Sequence, residues 1–211
     1  MNAIDIHRKL EENAGLLIFG ILFVSAIGGL VQILPSIFQE TVEPTAETRP
    51  YTAAELLGRD IYIREGCSTC HSQQVRPLLA EVIRYEAPAH AGESVYDRPF
   101  LWGSKRTGPD LSRVGEKYTD EWQRIHLVNP RAVVPKSIMP AYAWLERRKA
   151  NSGNDVHLRM KALQRLGHPY TDEEITRAAA DVAGMTELDA IVAYLQSLKI
   201  DTSVDPSEGG H

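Results

Sequence analysis

From Asn13 to Gln39 the chain carries no charged side chain; Ala14-Gly15-Leu16-Leu17-Ile18-Phe19-Gly20 opens a run that stays apolar to Phe38. As a helix at about 1.5 Å per residue this run is about 40 Å long, enough to cross a hydrocarbon core of about 30 Å with some tilt. A cleaved secretory leader competes with that reading, but its apolar core would be only about 7–15 residues long and would end at small residues. Ile37-Phe38-Gln39-Glu40 is a poor cleavage site, so an uncleaved membrane anchor is expected. Arg8 and Lys9 precede the run, whereas Glu40, Glu43 and Glu47 follow it before Arg49. Basic flanks stay inside, which predicts a cytoplasmic N-terminus and an external remainder. Within the run, Ser25 and Gly29 stand four apart beside Gly28 and Gln32. Small residues at that spacing admit a second helix and a glutamine seeks a partner, although glycine is also ordinary in a lone anchor.

Beyond the anchor the periodicity changes. Residues 40–50 are polar and aperiodic, a linker. Thr52-Ala53-Ala54-Glu55 reads as a capping box, and the helix behind it turns Leu56, Leu57 and Ile61 inward and stops at Gly66. Ser72 to Arg106 holds several prolines and glycines and reads as one long loop, of the kind that is functional or docked on something. Asp120 is expected to cap a helix through Trp122, Ile125 and Leu127 that ends at Asn129-Pro130. Three helical patterns follow: Val156, Met160 and Leu163 on the first; a second capped at Thr171-Asp172-Glu173-Glu174 and running to Gly184; Leu188, Ile191, Val192, Leu195 and Leu198 on the third. No segment alternates as a strand does, so the part outside the membrane is expected to be helical.

With 211 residues, 43% of them apolar, the chain has room for one globular domain and an appendage. Its net charge of −5, without a Lys/Arg block, argues against a nucleic-acid partner.

The chemistry centres on Cys67-Ser68-Thr69-Cys70-His71. C-x-x-C-H is the pattern of c-type haem attachment: two thiols bond the two vinyl groups of one porphyrin edge, and the next imidazole ligates the iron. Zinc would need further ligands, and the chain has only two cysteines. A redox dithiol would sit on a βαβ pattern that the flanks lack. An electron carrier fills both axial positions, so a distal ligand is expected besides His71. Met160 reads as core filler and Met185 sits at a helix junction. Met139 lies in a loop bracketed by Pro135 and Pro140, well downstream of the motif, and is the expected ligand, with simple packing as the bland alternative. His126 is the runner-up, and is otherwise a satisfied helix histidine; His90, His157 and His168 read as solvated. His/Met ligation raises the reduction potential relative to His/His, which suits a carrier late in a respiratory chain. The Gly108-Pro109 turn offers a carbonyl that would accept the free N–H of the proximal imidazole.

A capped helix into C-x-x-C-H, then Gly108-Pro109-Asp110-Leu111, then Met139-Pro140-Ala141-Tyr142, then a last helix ending Ala193-Tyr194-Leu195-Gln196-Ser197-Leu198 resembles the class I cytochrome c fold. The resemblance implies that the Pro109 carbonyl bonds His71, that Met139 is the distal ligand, and that the first and last helices cross. More closely, Cys70-His71-Ser72-Gln73-Gln74-Val75-Arg76-Pro77 and Asp97-Arg98-Pro99-Phe100-Leu101-Trp102-Gly103-Ser104-Lys105-Arg106 resemble the mono-haem membrane subunit of cbb3-type cytochrome c oxidases. The stretch around Glu86-Ala87-Pro88-Ala89-His90 matches nothing in that pattern.

The resemblance implies a mainly α chain with one N-terminal transmembrane helix and a class I cytochrome c-like domain carrying a long insertion. Its expected segments are a cytoplasmic tail at 1–12, the transmembrane helix at 13–39, a linker at 40–50, a periplasmic cytochrome c domain at 51–200 and a flexible tail at 201–211. One haem c, bound through Cys67 and Cys70, would take electrons from a dihaem cytochrome c subunit or a soluble cytochrome. It would pass them to the haem b of a catalytic haem–copper subunit, where oxygen is reduced and protons are pumped. No residue of this subunit would touch oxygen. Trp102, Lys105 and Arg106 are the expected docking face, with Trp102 as core and two solvated cations as the alternative. A free-standing membrane-anchored carrier and a haem sensor or peroxidase are the competing functions.

Overall fold

The computed structural model describes residues 3–38 and 42–199. The chain divides into two compact units, Met1–Val42 and Glu43–His211. The first contains α1 (Ala3–Glu12) and α2 (Ala14–Phe38). Ala14 to Pro35 is long and apolar enough to cross a membrane. None of that stretch is buried within the protein, as expected of a helix whose backbone satisfies itself and whose side chains face lipid. The last residue of the predicted span, Gln39, lies outside the described residues, as does the tail from 201.

The second unit is helical; among the described residues its only β pairing is the isolated bridge between Lys149 and Thr186. Its frame is the crossing of α3 (Ala53–Arg64) and α9 (Glu187–Ser197). Thr52 caps α3 through the Glu55 N–H while the Glu55 carboxylate takes the Thr52 N–H, and Thr186 with Asp189 repeats the device on α9. The inward positions are those that the 3.6-residue period selects: Leu56, Leu57 and Ile61 on α3; Leu188, Ile191, Val192 and Leu195 on α9. The helices meet at Gly58, where an added Cβ would fall 2.0 Å from the Ala190 carbonyl oxygen. Glycine there is what permits the crossing. α3 ends in a left-handed Gly66 (φ +73°), which turns the chain into the cysteine motif.

α5 (Asp120–Val128) and the short α6 (Pro130–Val133) meet at Asn129-Pro130. The cap of α5 is Thr119, whose hydroxyl accepts the Trp122 N–H, so the helix opens one residue earlier than Asp120 predicts. Its inward face carries Gln123 and Leu127, whereas Ile125 is exposed and Trp122 half-buried. α7 (Val156–Arg165) and α8 (Asp172–Asp181) close the outer layer; α8 stops before Gly184, which is left-handed at φ +79°.

Residues 72–106 are not one loop. They contain α4 (Leu79–Tyr85) and a 3-10 turn at Ala91–Ser94. Arg59 and Arg113 of the domain, and Arg106 at the insertion's own end, hold it. Arg59 donates to the Arg98 and Pro99 carbonyls and pairs with Asp97 at 3.3 Å. Arg113 donates to the Ala87 and Pro88 carbonyls and forks onto Glu93. Arg106 pairs with Glu81 of α4 and lies over the Tyr85 ring. Sequence reasoning left residues 86–90 unplaced because their anchor, Arg113, is distant in sequence.

Candidate haem site

The left-handed Gly66 leads into a 3-10 turn over Cys67–Thr69, and the His71 N–H returns to the Cys67 carbonyl at 2.9 Å. Cys67, Cys70 and His71 are thereby wound into one short coil beneath α3. Both cysteines are free, and burial pushes the Cys67 thiol up to about 12.

The opposite wall is the 107–111 segment. The Gly108 N–H donates to the Cys70 carbonyl and the Leu111 N–H to the Ser72 carbonyl, both at 2.9 Å. Between them the Pro109 carbonyl accepts the N–H of His71 Nδ1 at 2.8 Å. That bond leaves Nε2 as the ring's acceptor nitrogen. A Cβ at position 108 would fall 2.2 Å from His71 Cε1, so only glycine seats the imidazole. Burial lowers the pKa of His71, while the Pro109 carbonyl and the Asp110 carboxylate pull it back up. The imidazole therefore stays neutral at neutral pH, the form a metal needs. Tyr62 donates to the His71 carbonyl at 3.3 Å and fixes the backbone from below.

Met139 is half-buried against the core, in the loop after α6. Arg131 of α6 donates to the Ser137 and Met139 carbonyls, each at 3.3 Å, and the Met139 N–H reaches Ser137 Oγ. The Tyr142 N–H then ties the loop to Leu127 of α5 at 2.8 Å. Arg131, eight residues before Met139, is a residue to which sequence reasoning gave no role. His126 lies in electrostatic reach of His71 and stacks on Trp122 with ring centroids 4.6 Å apart. Its Nδ1 is buried without a hydrogen-bond partner.

Two further expectations need correction. His168 is not solvated: it is buried between the Tyr96 and Tyr170 rings, and burial followed by the Arg98 and Arg59 cations lowers its pKa to about 4. Arg106 is not part of an outward face. Its side chain is largely enclosed, with its donors spent on Ser72, Gln74, Glu81 and Asp110, because four acceptors inside the domain outbid solvent. Trp102 is 43% exposed, stacks on Phe100 at 4.8 Å and donates to Ser94 Oγ, beside an exposed Lys105.

The donor set fits a haem: two free thiols two residues apart, a neutral imidazole oriented by a carbonyl, a glycine cradle that clears the ring, and a thioether in a braced loop. Fold and site together fit one class, haem proteins that transfer electrons, here with a helix long and apolar enough to cross a membrane. A family model described as cytochrome C oxidase, mono-heme subunit/FixO matches residues 7–185, from within α1 to the residue before the cap of α9. The chain belongs to that family, and is thus a one-haem component of a membrane oxidoreductase complex. A search of the curated proteins finds no match.

Proposed function

We propose that the chain is the electron-transfer subunit of a cbb3-type haem–copper oxidase. It lies in a bacterial inner membrane with a cytoplasmic N-terminus and a periplasmic haem domain. It relays electrons from a dihaem cytochrome c subunit, or a soluble cytochrome, to the haem b of the catalytic subunit, where oxygen is reduced to water with proton pumping. Cys67 and Cys70 would hold one haem c covalently, with His71 and Met139 as the side chains that would ligate its iron. The haem, when bound, supplies one-electron exchange at little geometric cost. The protein's part is to keep the His71 imidazole neutral and oriented through Pro109, to brace Met139 through Arg131, and to bury the coil of Cys67. The observation that carries the reading is the 2.8 Å bond from His71 Nδ1 to Pro109 directly after the paired free cysteines. Haem staining of the denatured full-length chain tests it: the parent retains its pigment, Cys67→Ala/Cys70→Ala loses it, and extractable pigment in the parent would overturn the attachment.

The distal ligand is tested separately, because the unpartnered Nδ1 of His126 favours a second candidate. Met139→Ala is expected to open the ferrous protein to carbon monoxide, and His126→Gln to leave it closed; the reverse would make His126 the ligand. For docking, Trp102 and Lys105 remain the proposed contact with the catalytic subunit, now without Arg106. Trp102→Ala is expected to weaken copurification of the complex while leaving the haem domain folded, and unchanged copurification would refute this contact. Family membership favours an oxidase subunit over a free-standing carrier.

A further inference from the structure

One buried charge beside the site has no part in the reading above. The Asp110 side chain is 0% exposed, on the residue next to Pro109. One carboxylate oxygen accepts Ser72 Oγ at 2.5 Å and the Gln74 N–H at 2.9 Å. The other accepts the Ser112 N–H at 2.9 Å and the Ser112 hydroxyl. These donors are neutral. The nearest cation, Arg106, stands 3.4 Å away and commits itself elsewhere: it makes contacts of 2.7 and 2.9 Å to Glu81, while Arg76 also pairs with Glu81. The cluster of Arg76, Arg106, Glu81 and Asp110 is neutral as a whole, and Asp110 is the member of it that bonds the segment following His71. Asp110 grips Ser72, which follows His71, and belongs to the turn whose Pro109 carbonyl orients the His71 ring. Its field reaches that ring.

We infer that Asp110 is a positioning residue that also sets the reduction potential: its buried carboxylate locks the two backbone segments around His71 and stabilises the oxidised iron. Charge interactions in a low-dielectric interior are strong, so an anion only partly compensated by Arg106 favours the extra positive charge of the ferric state. Arg106 acts against it as a partial counter-charge. This inference rests on the His71 assignment proposed above.

The test uses the full-length chain in detergent, matured with haem, titrated by absorbance against redox mediators. Asp110→Asn keeps the shape and removes the charge, at the cost of one backbone contact, because its NH2 replaces an oxygen that accepts the Gln74 or Ser112 N–H. It is expected to shift the ferrous-to-ferric ratio at fixed applied potential about tenfold toward ferrous, 59 mV for one electron. Arg106→Gln is expected to shift it the opposite way. A merely structural role would loosen the site in both variants and move both in one direction. A shift of less than about twofold in Asp110→Asn at parental haem content, or shifts of the same sign in both variants, overturns the inference. If Asp110→Asn yields no haem protein, Arg106→Gln decides alone, and an unchanged or raised potential refutes it. Haem staining of the same samples reports the attachment independently, so failure of the tuning role is distinguishable from failure of the site.

Discussion

The α3/α9 crossing and the 72–106 insertion are both buried against the same domain, yet they are held by opposite means. The crossing is apolar and local in its grammar: a capped helix, an inward stripe, and one glycine where two backbones touch. The insertion is as apolar in composition as the chain, but it buries few of those side chains, chiefly Val75 and Tyr85. Leu79 and Ile83 of α4 face outward at 78% and 76% exposure, and the segment is retained instead by Arg59, Arg106 and Arg113 reaching into its carbonyls and carboxylates. A stripe contributes gradually and tolerates small losses. A buried arginine is all or nothing, because removing it strands an anion and several acceptors.

The largest effect is expected where that contrast is sharpest. Arg113→Ala leaves Glu93 and two carbonyls without their cation and should cost about 3–5 kcal/mol, confined to the insertion. Limited proteolysis should then cut within residues 86–97 while the haem spectrum persists; cooperative loss of both would erase the distinction between the regions. Gly58→Ala drives a Cβ into the Ala190 carbonyl and should cost about 1–3 kcal/mol, read as a lower Tm of the whole domain rather than of one segment. Thr52→Ala removes the α3 cap for about 1 kcal/mol, again as a global shift in thermal unfolding.

The smallest effect at neutral pH is the most specific. His168 lies where the two regions meet, between Tyr96 of the insertion and Tyr170 of the core. Its folded pKa of about 4 lies below the ordinary 6.5, so the unfolded chain takes up a proton first as pH falls. Stability is therefore complete above about pH 6.5, declines as pH drops toward about 4, and levels off below that. His126 is lowered in the same sense and contributes to the same slope. His168→Gln should flatten part of the Tm-versus-pH curve in that window, and an unchanged slope would mean that His168 does not stay neutral in the folded domain.

What could be read without coordinates follows from short-range rules. The uncharged run from Asn13, the capping box at Thr52, the inward stripe of the last helix and the C-x-x-C-H coil each lie within a turn or two of chain, so periodicity and spacing report them directly. Even there the edges drift: Thr119 rather than Asp120 caps α5, because the chain places the hydroxyl and not the carboxylate opposite the free N–H.

The site was only half accessible in this way. Spacing picked out Cys67, Cys70 and His71, and a proline bracket picked out Met139, but no local signal ties Arg131 to that loop or Asp110 to Ser72, which lies 38 residues away in the chain. Arg106 and His168 were misplaced for the same reason. A charged or titratable side chain looks solvated until the acceptors, aromatic rings and cations that surround it are known, and those arrive from distant segments. Hydrophobic burial repeats along a helix and leaves its period in the sequence. Pairing between buried charges has no period, and only the folded chain decides which carboxylate an arginine meets.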